Sequence, residues 1–166
     1  MSAIAQTQLP LETPEALASD LCWLLGRASH ALTTESTAAL EESGISPREH
    51  AVLATAMTGA HTQIELARLV GLDKTTMVVT VDALEAAGLA ERRPSSSDRR
   101  ARVVAVTKAG ASKVREAEAI LQRVRDDVLG MLDPAEREAF LSALSRLASG
   151  RLAEPVPCAH SVRRRA

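Results

Sequence analysis

The sequence predicts a mainly α fold carrying one small β-hairpin, and three observations lead there. Helix-start signals recur: Ser46-Pro47-Arg48-Glu49, Thr62-Gln63-Ile64-Glu65 and Asp133-Pro134-Ala135-Glu136 each set a capping side chain three residues before a glutamate able to reach back to the cap amide. Gly44, Gly71 and Gly88 each follow an apolar periodic run, where a left-handed residue closes a helix. The period changes once, at Leu89 to Arg93 and Arg102 to Thr107. There Val103, Val104 and Val106 supply the β-branched residues strands favour, and Pro94-Ser95-Ser96-Ser97-Asp98 supplies the turn.

Taken in chain order, Thr13 and Pro14 cap a long first helix over about 14–43, with proline at the first helical position where its missing N–H costs nothing. Short helices follow over about 47–58 and 62–70, and Asp73 caps a fourth over about 74–87. Beyond the hairpin, two further helices span about 108–130 and 134–149. The tail from Glu154, with Pro155, Pro157 and Arg163-Arg164-Arg165, lacks an apolar period and reads as a flexible basic segment.

Composition sets the limits. A chain of 166 residues suits one domain of about 100–200 residues, and 46% hydrophobic with 25% charged residues is a globular balance. One Trp, one Phe and no Tyr leave the core to Leu, Val and Ala, which suits helices. Lys and Arg total 20 against 21 Asp and Glu, so any polyanion site must be local. Two cysteines do not make a disulfide framework, and reduced thiols are expected. There is no signal-like start and no run approaching the ~18 apolar residues of a membrane span, so a cytoplasmic location without membrane contact is expected. No nucleophile elbow, phosphate loop or metalloprotease helix appears, and histidines 30, 50, 61 and 160 show no metal-ligand pair; neither an enzyme nor a cofactor is expected.

A helix ending at Gly71, a tight turn, a helix from Lys74 and a basic hairpin form the order of a winged helix-turn-helix over 47–107. The second helix of such a unit fits the major groove, roughly 12 Å wide. Ile64, Leu66, Ala67 and Val70 are expected to face inward from the first helix, and Met77, Val81 and Leu84 to form the buried stripe of the second. That leaves Lys74, Thr75, Thr76, Val79 and the neighbouring Val78 for base edges and nearby phosphates of double-stranded DNA. Arg92, Arg93, Arg99, Arg100 and Arg102 crowd the hairpin, where phosphate or minor-groove contact requires local positive charge. Asp98 reads as a brace that orients Arg100 by a charge-assisted pair. A winged helix that binds protein instead of DNA is the alternative, since fold alone does not fix function.

Glu65 through Thr76, Val81 through Leu89, Asp98-Arg99-Arg100 and Val106-Thr107-Lys108-Ala109-Gly110 together resemble the MarR family of bacterial regulators, in order over about 15–149. The resemblance implies a homodimer on a pseudopalindromic operator, acting as a repressor, and often a small aromatic or phenolic ligand between DNA-binding and dimerisation regions. Relatives often carry Arg or another polar residue on the recognition helix; Val78 and Val79 stand here, which points to thymine-methyl contacts in place of Arg–guanine readout.

The flanks, 14–46 and 108–150, offer more apolar length than a small winged domain needs: Leu17, Leu21, Leu24, Leu25, Ala28 and Leu32, then Leu121, Val124, Val128, Leu132, Phe140, Leu144 and Leu147. They are expected to form a helical dimerisation region, with 1–13 as an N-terminal arm and 151–166 as the basic tail. Leu21-Cys22-Trp23-Leu24-Leu25 resembles the cysteine-bearing segment of the family's organic-hydroperoxide-sensing branch, but that branch surrounds its cysteine with tyrosines, which this chain lacks. Two readings of Cys22 follow, a small core hydrophobe or a peroxide-sensing thiol; Cys158 in the tail either resolves an oxidised Cys22 or, as the tail's lack of pattern favours, has no role. Trp23, His30 and His50 are candidates to line a ligand pocket, against ordinary partial burial of the histidines.

Overall fold

A computed structural model of the chain describes residues 14–95 and 100–154. Their order is α1 (Leu21–Ala39), α2 (Pro47–Ala56), α3 (Gln63–Val70), α4 (Lys74–Ala86), β1 (Ala90–Pro94), β2 (Arg102–Val106), α5 (Lys108–Leu129) and α6 (Pro134–Ser149), with 3-10 turns at Glu15–Leu17 and Glu41–Ser43. By their contacts the residues form two compact units, one ending at Val124 and one beginning at Arg125. Among the described residues no helix is long and apolar enough to cross a membrane.

In the first unit the capping boxes at Ser46/Glu49 and Thr62/Glu65 are complete in both directions. Each satisfies amides that a helix start leaves without intrahelical partners. The first helix departs from expectation. Pro14 precedes only a 3-10 turn, Thr13 lies outside the described residues, and α1 starts at Leu21, where Asp20 accepts from Trp23 N at 2.6 Å. The helix also stops at Ala39, and the 3-10 turn beyond it ends on Gly44, whose φ of 71° is left-handed.

The core of this unit joins Val52, Leu53 and Ala56 of α2, Leu66 and Ala67 of α3, Met77, Val81 and Leu84 of α4, Ala90 and Val104 of the hairpin, and Val114 of α5. Met77, Val81 and Leu84 are fully buried, as their spacing predicts. Ile64 is not: it is 62% exposed. At about 100° per residue it lies some 60° beyond Ala67, on the opposite side from Leu66 and Val70, so it leaves the buried arc. A second cluster packs Leu40, Ile45 and Ala117 with Leu89, Ile120 and Leu121.

β1 and β2 pair antiparallel, with Ala90 opposite Val106 and Pro94 opposite Arg102. Sequence reading missed a third edge: Thr62 bridges to Val103, and Val104 N donates to His61 O at 3.0 Å. The residues entering α3 are thereby pinned to the hairpin.

The second unit holds the end of α5, a turn, and α6 with its Asp133/Glu136 capping box. Arg137 Nε donates to Leu129 O at 3.2 Å across that turn. No α6 side chain is buried, and Phe140, Leu141 and Leu147 are exposed.

Candidate nucleic-acid interface

The turn between α3 and α4 is set by Gly71, at φ 76°. Leu72 N then donates to Ala67 O at 2.8 Å, which closes α3 and tucks Leu72 against the core. Asp73 follows as the α4 cap: Oδ1 accepts from Thr76 N at 2.9 Å and Oδ2 from the Thr76 hydroxyl at 2.6 Å. The Thr76 hydroxyl and then the Thr76 amide hold the Asp73 carboxyl below its ordinary value, so the helix start keeps a fixed negative charge against its dipole.

With Met77, Thr80, Val81 and Leu84 turned inward, α4 presents Lys74, Thr75, Val78 and Val79 to solvent and Thr76 half-buried beside them. A groove of about 500 Å³ runs along this ridge, lined by Gln63, Ile64, Arg68, Lys74 and Val78 among others. Arg68 is a cation the sequence reading did not select. Its position in the last turn of α3, three residues before Gly71, is the signal that would have found it.

The hairpin arginines divide. Adjacent strand residues face opposite sides, and Arg92, opposite the buried Val104, turns inward and not toward a ligand. Its backbone N donates to Glu85 Oε1 at 2.6 Å and its guanidinium to Glu85, to Asp82 at 2.7 Å and to Gln63 at 3.1 and 3.2 Å. Arg92 is therefore a clasp holding β1 to α4 and α3, which corrects its expected place among the polyanion-facing arginines. Burial pulls the Arg92 pKa down, but the Asp82 hydrogen bond and the Glu85 charge outweigh it and the net shift is upward. Arg93, Arg100 and Arg102 are exposed, Arg93 in an ion pair with Glu91. Asp98 and Arg99 lie outside the described residues.

Thr107 joins the site to the rest of the unit. Its hydroxyl donates to Gly88 O at 2.8 Å and accepts from Gly110 N at 3.0 Å, while its own N donates to Leu89 O at 3.1 Å. Gly110 packs so closely that an added Cβ would sit 2.0 Å from Leu89 O. The Thr107–Gly110 segment is thus a structural joint between the end of α4 and the start of α5.

The remaining candidates do not converge. Cys22 is exposed, so it is not a core hydrophobe of this chain: it sits at the start of α1, outside both apolar clusters. Trp23 carries Arg27 over its ring at 5.4 Å. His50 is buried, with Nε2 3.3 Å from the Glu118 carboxylate. His30 lines an open groove of about 770 Å³ that it shares with Thr33, Thr34, Thr37, Leu40 and Ile45. Of the flanking apolar residues, Val124 is buried within the chain, while Leu21, Leu24, Leu32, Val128, Phe140 and Leu147 are exposed.

A capped helix-turn-helix clasped to a basic antiparallel hairpin defines a winged helix-turn-helix DNA-binding protein. Residues 43–101 match the MarR family. A MarR-family transcriptional regulator from Rhodococcus sp. RHA1 is similar at 26% identity over 81% of this chain and 96% of that one, with a TM-score of 0.74. CouR from Rhodococcus jostii RHA1, bound to p-coumaroyl-CoA, is similar at 26% identity over 87% and 99%, TM-score 0.73. The transcriptional repressor CouR on a 23-mer DNA duplex matches at 26% over 86% and 99%, TM-score 0.75. Residues 43–101 thus carry a MarR-type winged helix-turn-helix, and the chain as a whole is similar to DNA-binding transcriptional regulators of that family.

Proposed function

We propose that the protein is a homodimeric repressor that occupies a pseudopalindromic operator and leaves it when a small aromatic or phenolic molecule binds. One observation carries the reading: a ridge of exposed Lys74, Thr75 and Val79, with half-buried Thr76 among them, stands on α4 beside a hairpin whose Arg93 and Arg102 are exposed. In this reading the ridge meets base edges. Arg93, Arg100, Arg102 and, from sequence, Arg99 meet phosphates or the minor groove, with Asp98 orienting Arg100. Residues 47–107 are the DNA-binding part and the flanking helices the dimerisation region. Exposed Leu21, Leu24 and Leu32 on α1 and Phe140 and Leu147 on α6 support an apolar interface between two copies. Such a dimer sets its recognition helices about 34–36 Å apart, one turn of DNA.

The groove at His30 is where a ligand would act, since it lies between α1 and the turn leading into α2. That CouR has been seen both with p-coumaroyl-CoA and on a duplex supports ligand release. A coupling of about 1–3 kcal/mol would lower operator affinity 5- to 150-fold. The test is selection from a random duplex pool followed by a salt titration. A two-fold symmetric consensus and a log–log slope near −0.9 per neutralised phosphate are expected; no enrichment and a flat salt response would overturn the proposal and favour a protein-binding module.

The exposure of Cys22 favours a second reading, a repressor released by peroxide through thiol oxidation. If Cys22→Ser releases from DNA under peroxide as readily as the wild type does, that reading is wrong.

A further inference from the structure

We propose that Val79 is a specificity-determining residue that reads the C5-methyl group of thymine, so that each operator half-site carries an obligatory thymine facing it. The inference rests on the duplex-binding reading above and adds the chemistry of the base contact.

The hydrogen-bonding capacity of the α4 ridge is nearly spent inside the protein. The helix, Lys74–Ala86, contains no Arg, Asn or Gln, so Arg–guanine and Asn– or Gln–adenine pairs cannot come from it, and Lys74 on its first turn is its one guanine-reading cation. The Thr76 hydroxyl donates to Asp73 at 2.6 Å and offers a base only lone pairs. The Thr80 hydroxyl is buried and donates to Thr76 O at 2.8 Å. Asp82, one turn further on, is held by Arg92 at 2.7 Å. That leaves Lys74 and Thr75 as donors on the first turn, and from the second turn the ridge is apolar: Val79 is 64% exposed and Val78 36%.

An exposed β-branched pair in the middle of a groove-reading helix needs an apolar partner, and the major-groove edges of the four bases offer only one, the thymine methyl. The other apolar partners open to such a face, a second copy of the chain or another protein, would have to cover it beside Lys74 and Arg68, which line one groove with Val78. That cationic setting matches a polyanion. Val79 is also rigid: its χ1 is restricted in a helix, so little side-chain freedom is lost on contact.

The experiment uses full-length protein and the duplex selected from the random pool. Each thymine is replaced in turn by deoxyuridine, which keeps every hydrogen-bonding group and lacks only the methyl. Affinity is read by fluorescence anisotropy at fixed salt. At one position per half-site the change is expected to weaken wild-type binding about 4-fold, and roughly 15-fold when both half-sites are changed, as loss of a buried methyl implies. Val79→Ala, and the shape-conserving Val79→Thr as a second variant, should bind the thymine duplex more weakly and be indifferent to deoxyuridine there, with the salt slope unchanged. Wild-type indifference to deoxyuridine at every position, or an equal loss in wild type and both variants, overturns the inference while leaving duplex binding intact. Failure to bind any duplex overturns the underlying reading and this one with it.

Discussion

Replacing Arg92 by Met keeps the aliphatic stem and removes the clasp, and the structure sets the size of the effect. The Arg92 side chain is 26% exposed and Glu85 31%, whereas Asp82 is 59% exposed. The Asp82 arm behaves as a surface pair, contributing about 0–1 kcal/mol. The Glu85 arm, half-buried and charge-assisted, contributes about 1.5–3 kcal/mol. The Gln63 contacts at 3.1 and 3.2 Å are longer and add less. Because the backbone N of residue 92 still donates to Glu85 in the variant, the carboxylate keeps one partner, and the expected cost is about 2–3 kcal/mol, at or below the lower limit of about 3 kcal/mol for breaking a fully buried pair. For a chain of this length that lowers Tm by about 4–12 °C. Circular dichroism melts of wild type, Arg92→Met, Glu85→Gln and the double variant give the coupling directly, expected at about 1 kcal/mol or more. Duplex titrations of the same proteins should show weaker binding with the salt slope intact, since the wing is loosened but no phosphate contact is lost. If Arg92→Met melts like wild type while its log–log slope falls by about 0.9, the residue contacts a phosphate and the clasp is wrong.

Other consequences can be tested alongside. Gly110→Ala forces a Cβ to within 2.0 Å of Leu89 O, so urea titration should show a loss of about 3 kcal/mol, the upper range for overpacking, and a result under 1 would mean the joint yields. Arg102→Ala should weaken binding to selected and scrambled duplexes alike and flatten the salt slope by about 0.9; a change in sequence preference instead would make it a base reader. Glu65 and Asp73 both have carboxyl pKa values lowered in the fold, Glu65 chiefly by the Thr62 amide and Asp73 chiefly by the Thr76 hydroxyl. The unfolded chain therefore takes up these protons first. Their contribution to stability is fully present above the ordinary values of 4.5 and 3.8 and is lost as pH falls through the lowered values. The urea midpoint should drop on acidification, and Glu65→Gln with Asp73→Asn should flatten that drop.

Local chemistry was the legible part of the fold. The capping boxes at Ser46, Thr62 and Asp133 and the left-handed glycines at 44, 71 and 88 depend on residues within one turn of each other, and a sequence exposes such signals directly. The buried stripe of α4 was legible for the same reason, a period of 3.6 over a long run. The first helix start was misplaced because two caps compete near it. Pro14 gave the stronger motif, yet Asp20 holds the helix. Ile64 misled because α3, Gln63–Val70, is barely two turns long, too short for apolar spacing to define an arc. The candidate interface was legible on α4 and only partly so on the hairpin. Charge shows in sequence, but the side of the strand does not until its partner is known. Arg92 turned out to face Glu85, Asp82 and Gln63, and the Thr62–Val103 bridge is equally non-local.

Only one residue, Thr107, separates the end of β2 at Val106 from the start of α5 at Lys108, and its hydroxyl and amide are fastened to the last carbonyls after α4. A joint that short has no slack. Tilting α5 at this end must swing the tail of the reading helix as well, much as an oar moves at both sides of its rowlock, because no flexible linker stands between them to absorb the stroke.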